Sequence, residues 1–232
     1  MTIAIHQPHF LPWLGYFNKV WHSETFVWLN SVQYRRRYYQ NRAKIKINEQ
    51  PSWLTLPVQA EYDARIDEVL LAGAEWRKSL PKTIEYTYKR APYFNQCGPP
   101  LFDALTRAAD TLDDVNYQTF ITLMNLLRGD HVRVVRANEL ALDATDPTGR
   151  LVEICVALGA NRYIAGRGGG NYMDVAQFAQ AGIEIVWQDF DFNGVEYPQM
   201  GKTFVPGLSL IDCLFNIGPE ATRELVSTAW AP

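Results

Sequence analysis

Apolar residues change their spacing several times along the chain, and each change marks an element. Residues 2–5 (TIAI) and 25–29 (TFVWL) are short runs rich in strand-forming residues and predict strands. Between them Leu14, Phe17, Val20 and Trp21 recur at helical spacing. Strand, turn, helix and strand in quick succession predict a βαβ unit and a parallel sheet. AKIKI then alternates, NEQP turns and WLTLPV returns, which reads as a β-hairpin with a basic, aromatic lead-in.

From Glu75 to Arg128 the pattern becomes helical. EWRKSLPKTIEYTYKRAPYF, PPLFDALTRAADTLDDVN and YQTFITLMNLLRG read as successive helices broken by Pro and Gly. Strand and helix then alternate again. HVRVVRA is a strand, and DPTGRLVEICVALGA is a helix with Asp146 as cap, Pro147 at its first position and Gly159 as stop. RYIAG is a strand that runs into GRGGGNY, MDVAQFAQAG a helix and IEIVWQDF a strand. The expected architecture is α/β: a parallel-sheet sandwich forming a single domain over residues 1–232, interrupted by a β-hairpin and by a helical insert at 75–130.

Hydrophobic residues at 47% and charged residues at 20% place the chain among folded proteins and exclude disorder. The formal net charge of −3 gives no global attraction to nucleic acid or acidic membranes, although 22 Lys and Arg suffice for a local anion site. No stretch approaches the length of a membrane span, and the N-terminus lacks the basic and apolar regions of a signal peptide. Three widely spaced cysteines without a CxxC predict reduced thiols and a cytoplasmic protein, with Cys155 and Cys213 in the core.

Four stretches could carry chemistry. In HQPHFLPW, His6 follows a predicted strand, and in open parallel sheets ligands bind beyond the carboxyl ends of strands. Pro8 and Pro12 stiffen the turn, and the next helix aims its N-terminal dipole at the same place. Gln7, His9 and Trp13 belong to this wall; His22 and His131 read as structural or superficial. In VQYRRRYYQNRAKIK, Arg35, Arg36 and Arg37 read as a solvated face, whereas Gln33, Gln40, Asn41 and Arg42 offer amide and guanidinium groups to a phosphate or acceptor. The same segment could instead stack on RNA.

In residues 165–172 (AGRGGGNY), a strand ends in a glycine-rich turn whose backbone amides could cradle an anion. Gly166, Arg167, Gly168, Gly169, Asn171 and Tyr172 are the candidates, and a plain connecting loop is the competing reading. In residues 207–218 (GLSLIDCLFNIG), Ser209 caps a helix, Asp212 interrupts its apolar run, and Asn216 ends it before Gly218. No HExxH, Cys/His metal spacing or GxSxG occurs, so no structural metal is expected, and Mg²⁺ enters only with a bound nucleotide.

Taken together, AIHQPHFLPWLGYFNKV, VQY, QNRAKIK, WLTLPV, IEYTYKRAPYF, LVEICVALGANRYIAG, NYMDVAQFAQAGIEIVWQDF, YPQ and LSLIDCLFNIG resemble the WbqC-like family of bacteria over nearly the whole chain. The resemblance implies work in O-antigen-type surface glycan biosynthesis, on sugar nucleotides or their acyl and aminoacyl decorations. The family usually carries an acidic pair just before its VQ, where this chain has Asn30 and Ser31. A second resemblance, of topology, is to nucleotidyltransferases of the HIGH type. Pro8 aligns with the proline of their pattern, Trp13 falls where their histidine stands, and LSLID is similar to their serine turn without its arginine. It implies a nucleotidyltransferase-like fold with a nucleotide lying across the His6 turn and the glycine loop.

The expected activity is transfer of an acyl or aminoacyl group to an amino sugar or similar amine, with a small molecule or sugar nucleotide as substrate and a nucleotide such as ATP as possible cofactor. His6 is the expected acid or base, Asn41 and Asp212 join it as catalytic candidates, and Arg42 and the glycine loop hold phosphate. The alternatives are a nucleotidyltransferase that activates a small substrate and a non-enzymatic module binding RNA or glycan.

Overall fold

In a computed structural model, which describes residues 1–171, 173–191 and 194–228, the two faces of the central sheet can be read from side-chain alternation. The chain runs β1 (Thr2–His6), α1 (Leu14–Trp21), β2 (Thr25–Trp28), β3 (Arg42–Ile47), β4 (Gln50–Thr55), β5 (Val58–Gln59), β6 (Leu70–Leu71), α2 (Trp76–Tyr88), α3 (Phe94–Thr106) and α4 (Leu112–Leu126). It continues through β7 (Arg133–Arg136), α5 (Pro147–Ala157), β8 (Arg162–Gly166), α6 (Val175–Gln180), β9 (Glu184–Gln188) and α7 (Leu210–Ser227). Five parallel strands form one sheet in the order β7-β2-β1-β8-β9. Helices cover both faces, so the expected α/β architecture is the observed one, and the strand order is consistent with a nucleotidyltransferase-like fold.

Ile3 and Ile5 of β1, Val27 of β2, and Tyr163 and Ala165 of β8 pack on one face against Leu151, Ile154 and Cys155 of α5 and Phe178 of α6. Their neighbours Ala4, Phe26, Trp28 and Ile164 point the other way, into a second cluster with α1, α4 and α7. Phe120 of α4 is its hub, with ring centroids 5.6, 5.5 and 4.9 Å from Phe17, Phe26 and Trp28. Both faces being buried explains why these strands read as continuous apolar runs. Cys97, Cys155 and Cys213 are buried free thiols.

Local chemistry sets the ends of the elements. Asp146 accepts from Gly149 N at 2.7 Å to open α5, and Gly159 (φ 68°) turns the chain after it. Three boundaries differ from expectation. The hairpin turn is only Asn48 and Glu49, both at positive φ (50° and 64°), so Gln50 and Pro51 belong to β4. Pro51 pairs with Lys46, whose own N–H donates outward to Tyr88 Oη at 3.4 Å, so proline's missing donor costs this ladder nothing.

The second break among the helices falls at residues 107–111, and Pro99 and Pro100 lie inside α3. Thr111 Oγ1 accepts from Asp114 N at 3.1 Å while Asp114 accepts from Thr111 N at 3.3 Å, a reciprocal cap that fixes the start of α4. WLTLPV does not run on as one strand; β5 leaves β4 to pair with β6. α7 is two helical segments joined at Gly218 (φ 81°): the first closes just past Asn216, as expected, and the second resumes from Pro219. A side chain at Gly218 would meet the Tyr93 ring at 2.6 Å.

Candidate active-site crevice

The strand order reverses between β1 and β8, because β1 passes the chain to β2 on one side and β8 passes it to β9 on the other. Such a switch point leaves a crevice beyond the carboxyl ends of the strands. His6 ends β1 and Gly166 ends β8, and both line one cavity of about 640 Å³. Gln7, His9, Trp13, Tyr16, Lys19, Arg35, Tyr38, Arg167, Gly168, Gly169, Asn171, Gln188 and Asp191 also line it. The glycine segment Arg167–Asn171 is a short 3₁₀ turn rather than an open loop. Tyr172 lies outside the described residues.

The histidine turn is held from several sides. Leu11 adopts φ 42°, unusual for a side chain of its size. Ser209 Oγ donates to Leu11 O at 2.7 Å and Leu210 N to Pro12 O at 2.8 Å, so the start of α7 pins the turn. Phe10 N donates to Tyr39 O at 2.9 Å. Gln40 Nε2 donates to Gln7 Oε1 at 2.8 Å, and Asn116 Nδ2 donates to Gln40 O at 2.8 Å. Ser209 and Gln40 therefore stand behind the wall and brace it.

His6 Nδ1 lies 3.0 Å from Gln7 O. A carbonyl only accepts, so the proton sits on Nδ1 and Nε2 keeps its lone pair. Tyr16 Oη donates to the same carbonyl at 3.1 Å. Desolvation, then the Lys19 ammonium and His9, push the His6 pKa well below its ordinary 6.5, against the hydrogen bond to Gln7 that raises it. At neutral pH His6 is a neutral imidazole with its basic nitrogen available.

His9 is buried among the rings of His6, Tyr16, Tyr38 and Tyr39, with centroids 4.7, 5.3, 5.7 and 5.6 Å away. Among the described residues neither ring nitrogen has a hydrogen-bond partner, and burial followed by the Lys19 charge lowers its pKa to about 3. The unfolded chain takes up this proton near 6.5 and the folded chain only near 3, so stability is present above 6.5 and is lost as pH falls. Between about pH 7.5 and about pH 5, His9 costs the fold about 2 kcal/mol. Urea unfolding at the two pH values should show this loss, and His9→Phe should remove that share of it. An unchanged slope in the variant would mean that His9 is not the acid-sensitive group.

Tyr16, Lys19, Tyr38, Gln188 and Asp191 were not anticipated in the crevice, and Arg35, expected on a solvated face, lines it too. Lys19 is 4% exposed, and its Nζ donates to Ile5 O at 3.1 Å. Burial lowers its pKa to about 8. Gln188, at the end of β9, donates to Gly15 O at 2.8 Å and Asn18 Oδ1 at 2.9 Å. The signal for Lys19 was a lysine within the apolar spacing of YFNKVW; that for Gln188 was its place near the carboxyl end of the predicted strand IEIVWQDF.

Residues 7–224 match the WbqC-like protein family. The chain belongs to that family. It is also 30% identical over 227 residues to an uncharacterized protein of Mycobacterium tuberculosis, a match covering 96% of each chain. Membership of the WbqC-like family suggests a role in polysaccharide-related biosynthesis. Among the described residues no helix is long and apolar enough to cross a membrane, and no group of three or more His, Cys, Asp or Glu could hold a metal ion.

Six expected site residues of this WbqC-like chain do not line the crevice: Gln40 and Ser209 brace it from behind, and Gln33, Asn41, Arg42 and Asp212 lie elsewhere. Arg42 lies with its guanidinium 4.1 Å from the centre of the Trp53 ring and donates to Arg37 O. Gln33 donates to Tyr62 O at 3.2 Å on an exposed edge, and Asn41 donates to Leu56 O at 3.0 Å. Asp212 accepts from Tyr88 and Tyr197 hydroxyls, each at 2.9 Å, beside a separate cavity of about 460 Å³ that Lys46, Glu49, Met200 and Asn216 also line. Burial raises its pKa against those two hydrogen bonds. It anchors the loop carrying Tyr197 to α7 and stands apart from His6.

Arg42 was expected to matter more than Arg36. Its position reverses that expectation: Arg42→Ala and Arg36→Ala should each change ligand affinity in the crevice by no more than about 0.5 kcal/mol, as surface substitutions do. Calorimetric titration of both variants checks this, and a tenfold loss confined to Arg42→Ala would overturn it.

Proposed function

We propose that this protein is a transferase or amide-forming ligase of surface-glycan biosynthesis that binds a sugar nucleotide or similar ligand across the β1–β8 crevice and acylates an amine. The observation that carries the reading is His6: a neutral imidazole with a free Nε2, held rigidly at the switch point of a doubly wound sheet. In the reaction the amine nitrogen attacks an activated acyl carbon. The new C–N bond forms, Nε2 takes the ammonium proton, and the bond to the leaving group breaks with that proton available to it. Gln7, with Oε1 engaged by Gln40, has Nε2 left to donate to the acceptor or to the developing oxyanion.

The parallel order β7-β2-β1-β8-β9 favours a second reading, nucleotidyl transfer that activates a small substrate. Thermal-shift screening against sugar nucleotides, nucleoside triphosphates, uncharged nucleosides and short RNA tests both. A ligand at one hundred times its Kd stabilises by about 2.7 kcal/mol. Stabilisation by sugar nucleotides fits acyl transfer, and stabilisation by triphosphates with pyrophosphate release fits nucleotidyl transfer. Stabilisation by RNA alone would replace both with a binding module.

A further inference from the structure

A buried ammonium normally has a carboxylate beside it, because removing the charge from water is costly without a counter-charge. Among the described residues Lys19 has one neutral carbonyl, Ile5 O at 3.1 Å, for its three donors. Among the described residues no carboxylate forms an ion pair with it, and burial is the one influence that moves its pKa. Arg167 differs, since its charge is already paired with Asp189. The end of β8 stands in front of the ammonium: a Cβ placed on Gly166 would lie 3.9 Å from Nζ, and one on Gly168 would meet nothing within 4 Å. A larger side chain at Gly166 would cover the ammonium; glycine leaves it open to the crevice.

We propose that Lys19 is the cation of an oxyanion subsite in the crevice, between the end of β1 and the glycine turn, and that it receives a phosphate or pyrophosphate group of the ligand. The counter-charge that the described residues do not give Lys19 is then supplied on binding. The role expected of Arg42 passes to a residue that lines the cavity. Which molecule carries the phosphate rests on the function proposed above; the subsite itself rests on the burial and isolation of Lys19.

The test compares binding of sodium pyrophosphate, UDP and uridine by the wild-type protein and by Lys19→Met, at constant ionic strength. Loss of a charged hydrogen bond predicts that Lys19→Met binds pyrophosphate and UDP roughly 10- to 100-fold more weakly. Its melting temperature without ligand should equal or exceed that of the wild type, since an uncompensated charge has been removed. Uridine should not distinguish the two proteins. Equal affinity of the two proteins for pyrophosphate and UDP overturns the subsite, as does failure of the wild type to bind pyrophosphate. If Lys19→Met does not fold, the ε-methylene NMR signal of Lys19 in ¹³C-lysine-labelled wild type decides, because it must shift when pyrophosphate is added. Binding of pyrophosphate through Lys19 without binding of any nucleotide or sugar nucleotide would sink the proposed function and keep the subsite. Equal nucleotide binding by both proteins would do the reverse.

Discussion

His6→Ala is expected to lower turnover by roughly 10²–10⁴-fold, the usual cost of losing a general acid or base, while the melting temperature moves by only a few degrees. The ring is partly exposed to the cavity, and its one hydrogen bond is to a carbonyl that Tyr16 also serves, so its removal strands no buried group. The working form is the neutral one. Since its pKa lies well below 6.5, the rate should hold steady as pH falls through 6.5 and decline only in more acidic solution. Turnover of the ligand found by screening, and the melting temperature, are to be measured on the same preparation. A structural histidine gives the opposite pattern, a large fall in melting temperature with activity kept in the folded fraction. Retained turnover would remove His6 from the mechanism.

The sheet was legible because buried parallel strands announce themselves as apolar runs, and because helices with good caps separate them. The boundaries that were misread are ones where packing outweighs local punctuation. Pro99 and Pro100 look like a helix break, yet Phe94, Cys97 and Leu101 of α3 are all buried. The ring of Phe94 packs 5.4 Å from that of Phe215, which keeps the helix continuous through the prolines. The crevice was half legible. His6, Gln7, His9 and the glycine turn follow strands, so strand direction alone places them at one edge. Gln188 ends β9 and is placed there by the same rule, whereas Lys19, on α1, reaches the crevice only through tertiary folding.

Arg42 was misplaced although the alternation in RAKIKI held the answer. Ala43 and Ile45 face the core, so Arg42 and Lys44 lie on the opposite face. There Lys44 pairs across the hairpin with Trp53, and both cations stack on that ring, at 4.1 and 5.4 Å from its centre. Asp212 was read correctly as an interruption of an apolar helix, but its partners, Tyr88 and Tyr197, come from distant segments that spacing cannot reveal.

Asp113→Ala is expected to destabilise the fold by about 3–5 kcal/mol, the cost of breaking a buried ion pair by removing one partner. The Asp113 carboxylate is 1% exposed, and it accepts from Trp28 Nε1 at 2.6 Å, Asn30 Nδ2 at 2.8 Å and the Arg136 guanidinium. Its loss strands an indole N–H, an amide and a partly buried cation together. At this chain length the melting temperature should fall on the order of 10 °C, and urea unfolding gives the free energy directly. A loss below about 1 kcal/mol would show that water or rearrangement satisfies the three donors. Trp28 is also the register partner of His6 across β1 and β2. The cluster gives a physical reason for Asn30. Asn30 Nδ2 donates to Asp113 while its Oδ1 accepts from Asn138 N at 3.1 Å. A carboxylate could accept from Asn138 but could only repel Asp113. Asn30→Asp should therefore destabilise the protein above neutral pH, and Asn30→Asp combined with Asp113→Asn should recover part of the loss. Failure of the pair to recover any stability would show that Asn30 is held by something other than this carboxylate.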